Sequence, residues 1–354
     1  MNDAPQCTVL DQCGGCPHWS DAPQIREKRI FQSVQRAIRR PPDTVHLSAS
    51  TVGWRRRLSL RPSSDGRLGL SGAGSHDVVS LPACPVAHPK LDAALQSLPP
   101  LPGPAEVELR TDGERVVMVI RSKSSYGKRR RGRPPTRDAL HAIPEDTIDG
   151  VVVDGRSWRG QGTLSLSVAG HNLRASAGSF FQVHAGMNNL LNDWLRTRLT
   201  ALAPERLLDL YAGIGNLGLT LADTTGGVTL IESSRSAVED ARHNASALHL
   251  SVPIEIRKGD AHRFQAGDAF FDVALLDPPR RGAGHMIAEL AVTRPKAIIY
   301  VACDPRSLAR DVGILAKRSD YAIAELAAFE MFPWSSHMET VAVLTPKGRP
   351  VLDS

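Results

Sequence analysis

The sequence predicts a two-part protein: a β-rich first half, then an open, mostly parallel α/β sheet. Three observations predict it. From about Phe180 onward, strand-like runs alternate with helical ones. A glycine-rich turn, Gly213-Ile214-Gly215-Asn216-Leu217-Gly218, follows the first of those strands. Before Phe180 the strand-like runs are separated by Gly, Pro and turn signals instead. The 354 residues suit about two domains, expected at 1–175 and 176–354.

The elements follow in order. Gln24 to Ile38 carries Ile25, Ile30, Val34 and Ile38 at helical spacing, which predicts a helix. Strands are predicted at Arg57–Arg61, Val107–Arg110, Val116–Arg121, Val151–Asp154 and Thr163–Val168, with Thr111-Asp112-Gly113-Glu114 as a hairpin turn. Pro99 to Pro104 reads as a rigid linker. Lys123 to Arg137 reads as a basic loop insertion. Met187 to Leu202 is an amphipathic helix. Strands then fall at Leu207–Tyr211, Val228–Glu232, Ile254–Arg257, Val273–Asp277 and Ala297–Cys303, with a final pair near Ile323–Phe329 and Thr340–Leu344. No helix separates that last pair, so antiparallel pairing is expected, as in class I methyltransferase folds.

Lys plus Arg is 43 and Asp plus Glu is 37, a net charge of +6 that permits a polyanionic partner without demanding one. The cations cluster at Arg55-Arg56-Arg57 and from Lys128 to Arg137, where phosphate contacts are the obvious use. Arg131-Gly132-Arg133-Pro134 resembles an AT-hook core, but the tetrapeptide arises easily in an Arg-rich loop, and no DNA partner is expected. No apolar run approaches the ~18 residues of a membrane span, and the polar start Met1 to Gln6 does not read as a secretory signal. Five cysteines, an odd number, point to a reducing, cytoplasmic setting. Cys7, Cys13 and Cys16 are spaced C-x5-C-x2-C, and Cys84 and Cys303 each stand alone. Three close thiols plus a distant fourth suit either zinc or an iron–sulfur cluster, and spacing does not separate them.

Gly213, Gly215 and Gly218 satisfy the dinucleotide fingerprint, and Glu232 ends the next strand, where it can bind ribose hydroxyls. An NAD enzyme is therefore one reading. The charges oppose it, because Asp209 and Asp277 would repel a pyrophosphate. They would attract the sulfonium and ammonium of S-adenosylmethionine. Asp260 follows the third strand, where adenine normally sits. The fourth strand ends in Asp277-Pro278-Pro279-Arg280, a methyltransferase motif IV; amino-group methylases put an aromatic residue where Arg280 stands.

Cys303 ends the fifth strand, and Asp304 with Pro305 then opens a helix. A thiol there is expected to have a lowered pKa and to serve as a nucleophile. A thiol acting with S-adenosylmethionine fits methylation of pyrimidine C5. Adding the thiolate to C6 makes C5 nucleophilic, and a base must then remove the C5 proton. His337 and Glu339 are near-equal candidates, expected on one face by alternation.

In order along nearly the whole chain, these residues resemble the RNA 5-methyluridine methyltransferases of the 23S rRNA and tRNA uracil-C5 type. Phe180-Phe181-Gln182-Val183 is similar to a family motif, and Phe332-Pro333 followed by His337-x-Glu339 to its closing motif. The resemblance implies a class I, Rossmann-like methyltransferase domain after a β-rich, RNA-binding domain with a 4Fe–4S cluster on Cys7, Cys13, Cys16 and Cys84. It implies Cys303 as nucleophile and Glu339 as base, with Gln182, Tyr211, Asn216, Glu232, Asp260 and Asp277 around S-adenosylmethionine. His184 stands where the family usually has Asn, and Trp334 where it commonly has His. With no room for a TRAM domain ahead of Cys7, the chain resembles the shorter members, and the basic run from Lys128 is the candidate substitute for its phosphate contacts. The cluster cysteines favour 23S rRNA over tRNA. An inactive RNA-binding iron–sulfur protein is the contrasting expectation. RNA 5-methylcytosine enzymes are disfavoured, since they place a Cys in motif IV. The partner is RNA with its target base flipped out, and no membrane.

Overall fold

The computed structural model describes residues 6–122, 132–265 and 271–348. The first half contains α1 (Pro23–Ile38), β1 (Thr44–His46), β2 (Arg57–Pro62), β3 (Leu68–Ser71), β4 (Val78–Ser80), α2 (Pro89–Ser97), β5 (Glu106–Thr111), β6 (Val116–Arg121), α3 (Arg137–His141), β7 (Gly150–Val153), β8 (Arg156–Arg159), β9 (Thr163–Val168) and β10 (His171–Ser176). The second contains α4 (Ala185–Leu202), β11 (Leu207–Leu210), β12 (Val228–Glu232), α5 (Arg235–Ala247), β13 (Ile254–Lys258), β14 (Val273–Leu276), α6 (Met286–Val292), β15 (Ala297–Ala302), α7 (Pro305–Ala316), β16 (Tyr321–Phe329) and β17 (Glu339–Pro346).

One sheet has the order β4-β3-β2-β5-β6-β7-β8. The β5–β6 hairpin turns at Asp112 and Gly113, where Asp112 Oδ1 accepts from the amides of Glu114 (3.0 Å) and Arg115 (2.8 Å). Helix α2 packs on β5 and β6 over a core that includes Leu58, Leu91, Leu109 and Met118. The Pro99–Pro104 segment joins α2 to β5 within this half, and its Leu101 is fully buried in the same core. Strands β9 and β10 form a separate hairpin packed on α5.

The other sheet has the order β1-β16-β17-β15-β14-β11-β12-β13. Strands β11 to β15 run parallel; β11, β14 and β15 are buried throughout, as strands covered on both faces must be, while the edge strand β13 stays part-exposed. Helices α1, α6 and α7 share the core on one face, and α4 covers the other. Strand β17 lies antiparallel between β15 and β16, the ending expected from the missing helix. Helix α1 and strand β1 come from the start of the chain yet belong to this sheet: β1 pairs parallel with β16, and α1 packs on α7. A buried ion pair, Arg26 Nη1 to Glu330 Oε2 at 2.6 Å, holds α1 there. Chain order reverses between β11 and β14, so the crevice beyond their carboxyl ends is the natural place for a ligand. Among the described residues, no helix is long and apolar enough to cross a membrane.

Candidate active site

The crevice holds a pocket of about 370 Å³ lined by Phe180, Phe181, Gln182, Asp209, Tyr211, Ala212, Gly213, Ile214, Asn216, Leu217 and Asp277. Four of the six residues expected at a cofactor are thus together: Gln182, Tyr211, Asn216 and Asp277. Glu232 and Asp260 are not in the lining. Glu232 stands one residue behind it, with Oε2 accepting the Gly213 amide at 3.0 Å. Asp260 caps a short turn by accepting the His262 amide at 3.0 Å. The glycines explain themselves here. Gly213 takes φ +58°, and a Cβ on Gly218 would lie 2.5 Å from Asp209 Oδ2, which instead accepts the Gly218 amide at 2.9 Å. Two amides of the glycine loop therefore already face carboxylates. A pyrophosphate would have to displace both, so the geometry favours a cation over NAD. Burial, then Asp277 and Glu232, pushes the Asp209 carboxyl up to about 8.

Sequence reasoning passed over Asn188. It lies on the buried face of α4, and its side chain exchanges hydrogen bonds with Asn216 at 2.8 and 3.0 Å. A buried Asn188 and Asn192, four apart on an otherwise apolar stripe, were the available signal. His184 caps α4 by accepting the Met187 amide at 3.3 Å, and its ring stacks on Trp54. It lies just beyond Gln182 in the chain, so it helps fix the pocket wall.

The expected nucleophile and base come together at the carboxyl end of β15. Ala302 pairs with Thr340 across β15 and β17, so the flanking residues Cys303 and Glu339 face each other one step further out. Leu276 pairs with Tyr300, which brings Asp277 to the same end, and Gln182 Nε2 donates to Asp277 Oδ2 at 3.3 Å. Glu339 is buried, and its Oε2 has no hydrogen-bond partner among the described residues. Burial and the Asp277 charge raise its pKa well above the carboxylate range, and Arg280 opposes them. His337 is exposed, beside Arg280 at 3.4 Å, so the structure separates two candidates that alternation makes equal.

The expected lowering of the Cys303 pKa is corrected. Burial, then Glu339 and Asp277, pushes the thiol up to about 12, with Arg280 pulling it down. The thiol precedes the helix cap, and Asp304 itself takes the Arg306 amide at 2.9 Å. The helix end is thus spent on Asp304. Arg55, Arg56 and Arg57 sit between β1 and β2 or at the start of β2. All three are half-buried, and the Arg57 guanidinium lies 4.6 Å from the Phe180 ring centroid. Lys128 to Arg131 lie outside the described residues, while Arg133 and Arg137 are exposed.

Cys7, Cys13, Cys16 and Cys84 line one pocket of about 400 Å³ with Arg55. The thiols surround a space, and among the described residues no three His, Cys, Asp or Glu groups converge on a single ion. Burial and the neighbouring thiols push Cys16 up to about 12, and burial raises Cys13 and Cys84. The Arg55 guanidinium faces these thiols, and its Nε donates to the Arg57 carbonyl at 3.1 Å. The four thiols and the Arg55 guanidinium thus border one cavity.

A family model described as tRNA (Uracil-5-)-methyltransferase matches residues 257–347, and one described as Methyltransferase small domain matches 182–298. The chain is 32% identical over 365 residues to an "Uncharacterized RNA methyltransferase" of Streptomyces avermitilis, covering 96% of this chain and 82% of that protein. It is 30% identical over 369 residues to the 23S rRNA (uracil(1939)-C(5))-methyltransferase RlmD of Dichelobacter nodosus, covering 97% and 84%. Pyrococcus abyssi tRNA (uracil-54, C5)-methyltransferase in complex with S-adenosyl-L-homocysteine shares the fold, with a TM-score of 0.73 at 22% identity over 94% of this chain and 86% of that one.

Proposed function

The chain belongs to the RNA 5-methyluridine methyltransferase family, and from that premise we propose that it methylates C5 of a uridine in 23S rRNA, through a covalent bond from Cys303 to C6. The observation that carries this is the end of β15 where Cys303 and a buried, unpartnered Glu339 oxygen oppose each other beside the Asp277 pocket. Gln182, Tyr211, Asn216 and Asp277 would hold S-adenosylmethionine, with Glu232 and Asp260 assigned to it from outside the lining, and it would supply a methyl group on a sulfonium. The Cys303 thiolate adds to C6, and the electron pair of the C5–C6 double bond becomes an enolate. C5 then takes the methyl group as the carbon–sulfur bond to the donor breaks. Glu339, as carboxylate, accepts the C5 proton, the double bond re-forms and the Cys303 thiolate leaves.

The first half, with its cysteine pocket, is assigned to RNA binding, and the protein to the cytoplasm, where thiols stay reduced. The four cysteines would hold a 4Fe–4S cluster that joins the Cys7–Cys16 segment to the Cys84 loop. Methyl transfer and proton loss move no net electrons, so that role is structural. Protein purified without oxygen should carry about four irons and four sulfides per chain and lose them in Cys84→Ser; one zinc and no sulfide would refute the cluster. A tRNA uridine is the second reading, favoured by the family model over 257–347.

Tritium release tests the reaction: RNA labelled at uridine C5 is incubated with S-adenosylmethionine and wild-type or Cys303→Ala protein. Release from 23S rRNA that Cys303→Ala abolishes is expected. Release from tRNA alone selects the second reading. No release from either RNA, with the donor bound, leaves the inactive RNA-binding protein.

A further inference from the structure

We propose that Trp19 and Trp334 are positioning residues for Glu339, tying the cysteine-bearing segment to the loop that leads into the base. The proposal rests on Glu339 acting as that base. Trp19 lines the cysteine pocket, its amide donates to the Cys16 carbonyl at 3.3 Å, and its ring centroid lies 5.4 Å from that of Trp334. One aromatic side chain therefore borders both the thiols and the catalytic loop.

Trp334 sits at φ +68°, a backbone region that is an outlier for a bulky residue and persists only where the surroundings enforce it. Its indole Nε1 donates to the Thr51 carbonyl at 2.7 Å, and its own carbonyl accepts the His18 amide at 3.0 Å. The Arg26 guanidinium lies 5.3 Å from its ring centroid. Two residues on, Ser336 Oγ bonds His18 Nε2 at 3.0 Å. All these partners come from residues 18–51. The loop's own bonds, Ser335 to the Phe332 carbonyl and His337 to Ser335 Oγ, close a local turn and do not fix where it lies.

Glu339 is exposed to this arrangement and Cys303 is not. The β15–β17 pairing ends at Ala302 and Thr340, so Glu339, the first residue of β17 after this loop, is paired on one side only, with Phe329 of β16, and its Oε2 has no hydrogen bond among the described residues. Cys303 follows directly on a strand paired on both sides. Loosening the Trp19–Trp334 contact should therefore misplace the base and spare the nucleophile. The kinetic signature is specific: the sulfur–C6 and methyl–C5 bonds still form, the C5 proton stays, and methylated RNA remains covalently bound. A general loss of structure would slow every step together.

The test compares wild type with Trp19→Leu, Ser336→Ala and Glu339→Gln, reading amide hydrogen exchange of residues 332–339, RNA–protein adduct stable to denaturing detergent, and tritium release. In Trp19→Leu, exchange there is expected to quicken at least tenfold, adduct to accumulate several-fold and release to slow at least tenfold. Ser336→Ala, at an exposed position, should move the same way by about threefold and guards against a Trp19 variant that does not fold. If Glu339→Gln traps no adduct, the reading of the base fails. If Glu339→Gln traps adduct while both other variants exchange like wild type, or lose adduct and release in parallel, the positioning role is overturned.

Discussion

At the scale of the residue, the Cys303 thiol presents the sharpest constraint. Burial and two carboxylates hold it near 12, so at neutral pH only a small fraction is thiolate. The rate of adduct formation should therefore climb with pH through the neutral range, approaching tenfold per unit. Arg280 is the residue pulling the other way. Arg280→Ala should shift that rising limb to higher pH and cut the rate at pH 7 by roughly three- to tenfold, the equivalent of half to one pKa unit. Single-turnover adduct formation from pH 6 to 9 checks this, and superposable profiles would show that Arg280 does not act on the thiol. This control was hidden in the sequence. A Cys before Asp-Pro reads as a helix-end thiol, and only the fold shows that Asp304 takes the helix amides while Glu339 and Asp277 press on the sulfur.

At the scale of the element, Asp240 on α5 shows how a helix fixes a distant wall. Its carboxylate is fully buried and accepts from Arg174 Nε (2.7 Å), the Ser176 amide and hydroxyl (2.7 Å each) and the Ser179 hydroxyl (2.6 Å). These bonds lock β10 and the approach to Phe180, Phe181 and Gln182. Asp240→Ala should cost about 2–4 kcal/mol in urea unfolding, because several buried donors lose their partner. It should also weaken S-adenosylmethionine binding measured by calorimetry. The inner parallel strands of the second sheet, β11, β12, β14 and β15, were legible because they are mostly apolar runs between helices. Strand β10 was not: its turn uses Ala169 at φ +48° before Gly170, where sequence rules look for Asn or Asp. Strands β3, β4 and β8 are three or four residues long, too short for alternation to declare itself. The cofactor loop was legible through its glycines and acids, but the paired Asn188 and Asn216 needed the packing of α4 against the loop.

At the scale of the whole molecule, the two sheets are laced together by a segment from the start of the chain. Residues 23–46 leave the first sheet's neighbourhood, lay α1 on α7 and add β1 beside β16. No periodicity announces such a crossing, since a three-residue edge strand has no pattern of its own. Its security rests on Arg26 and Glu330. Arg26→Ala would strand a carboxylate whose side chain is 2% exposed, at a cost of about 3–5 kcal/mol in denaturant unfolding at pH 8. The Glu330 pKa is already raised by burial, and without Arg26 it should rise further. Protonation then removes the buried charge, so the deficit should shrink as pH falls toward 5. A deficit that stays constant with pH would mean that packing, not charge, is what the substitution removes.

The placement of β17 bears on when the protein becomes competent. It is made after every other described strand, yet it is not an edge strand; it slots between β15 and β16 and brings Glu339 with it. A chain still being synthesised can already own its thiol, its glycine loop and its four clustered cysteines. It has no base until that last strand threads into a sheet whose neighbours are already waiting. A base at Glu339 therefore waits on β17, and a chain lacking that strand would hold the proposed nucleophile without its partner.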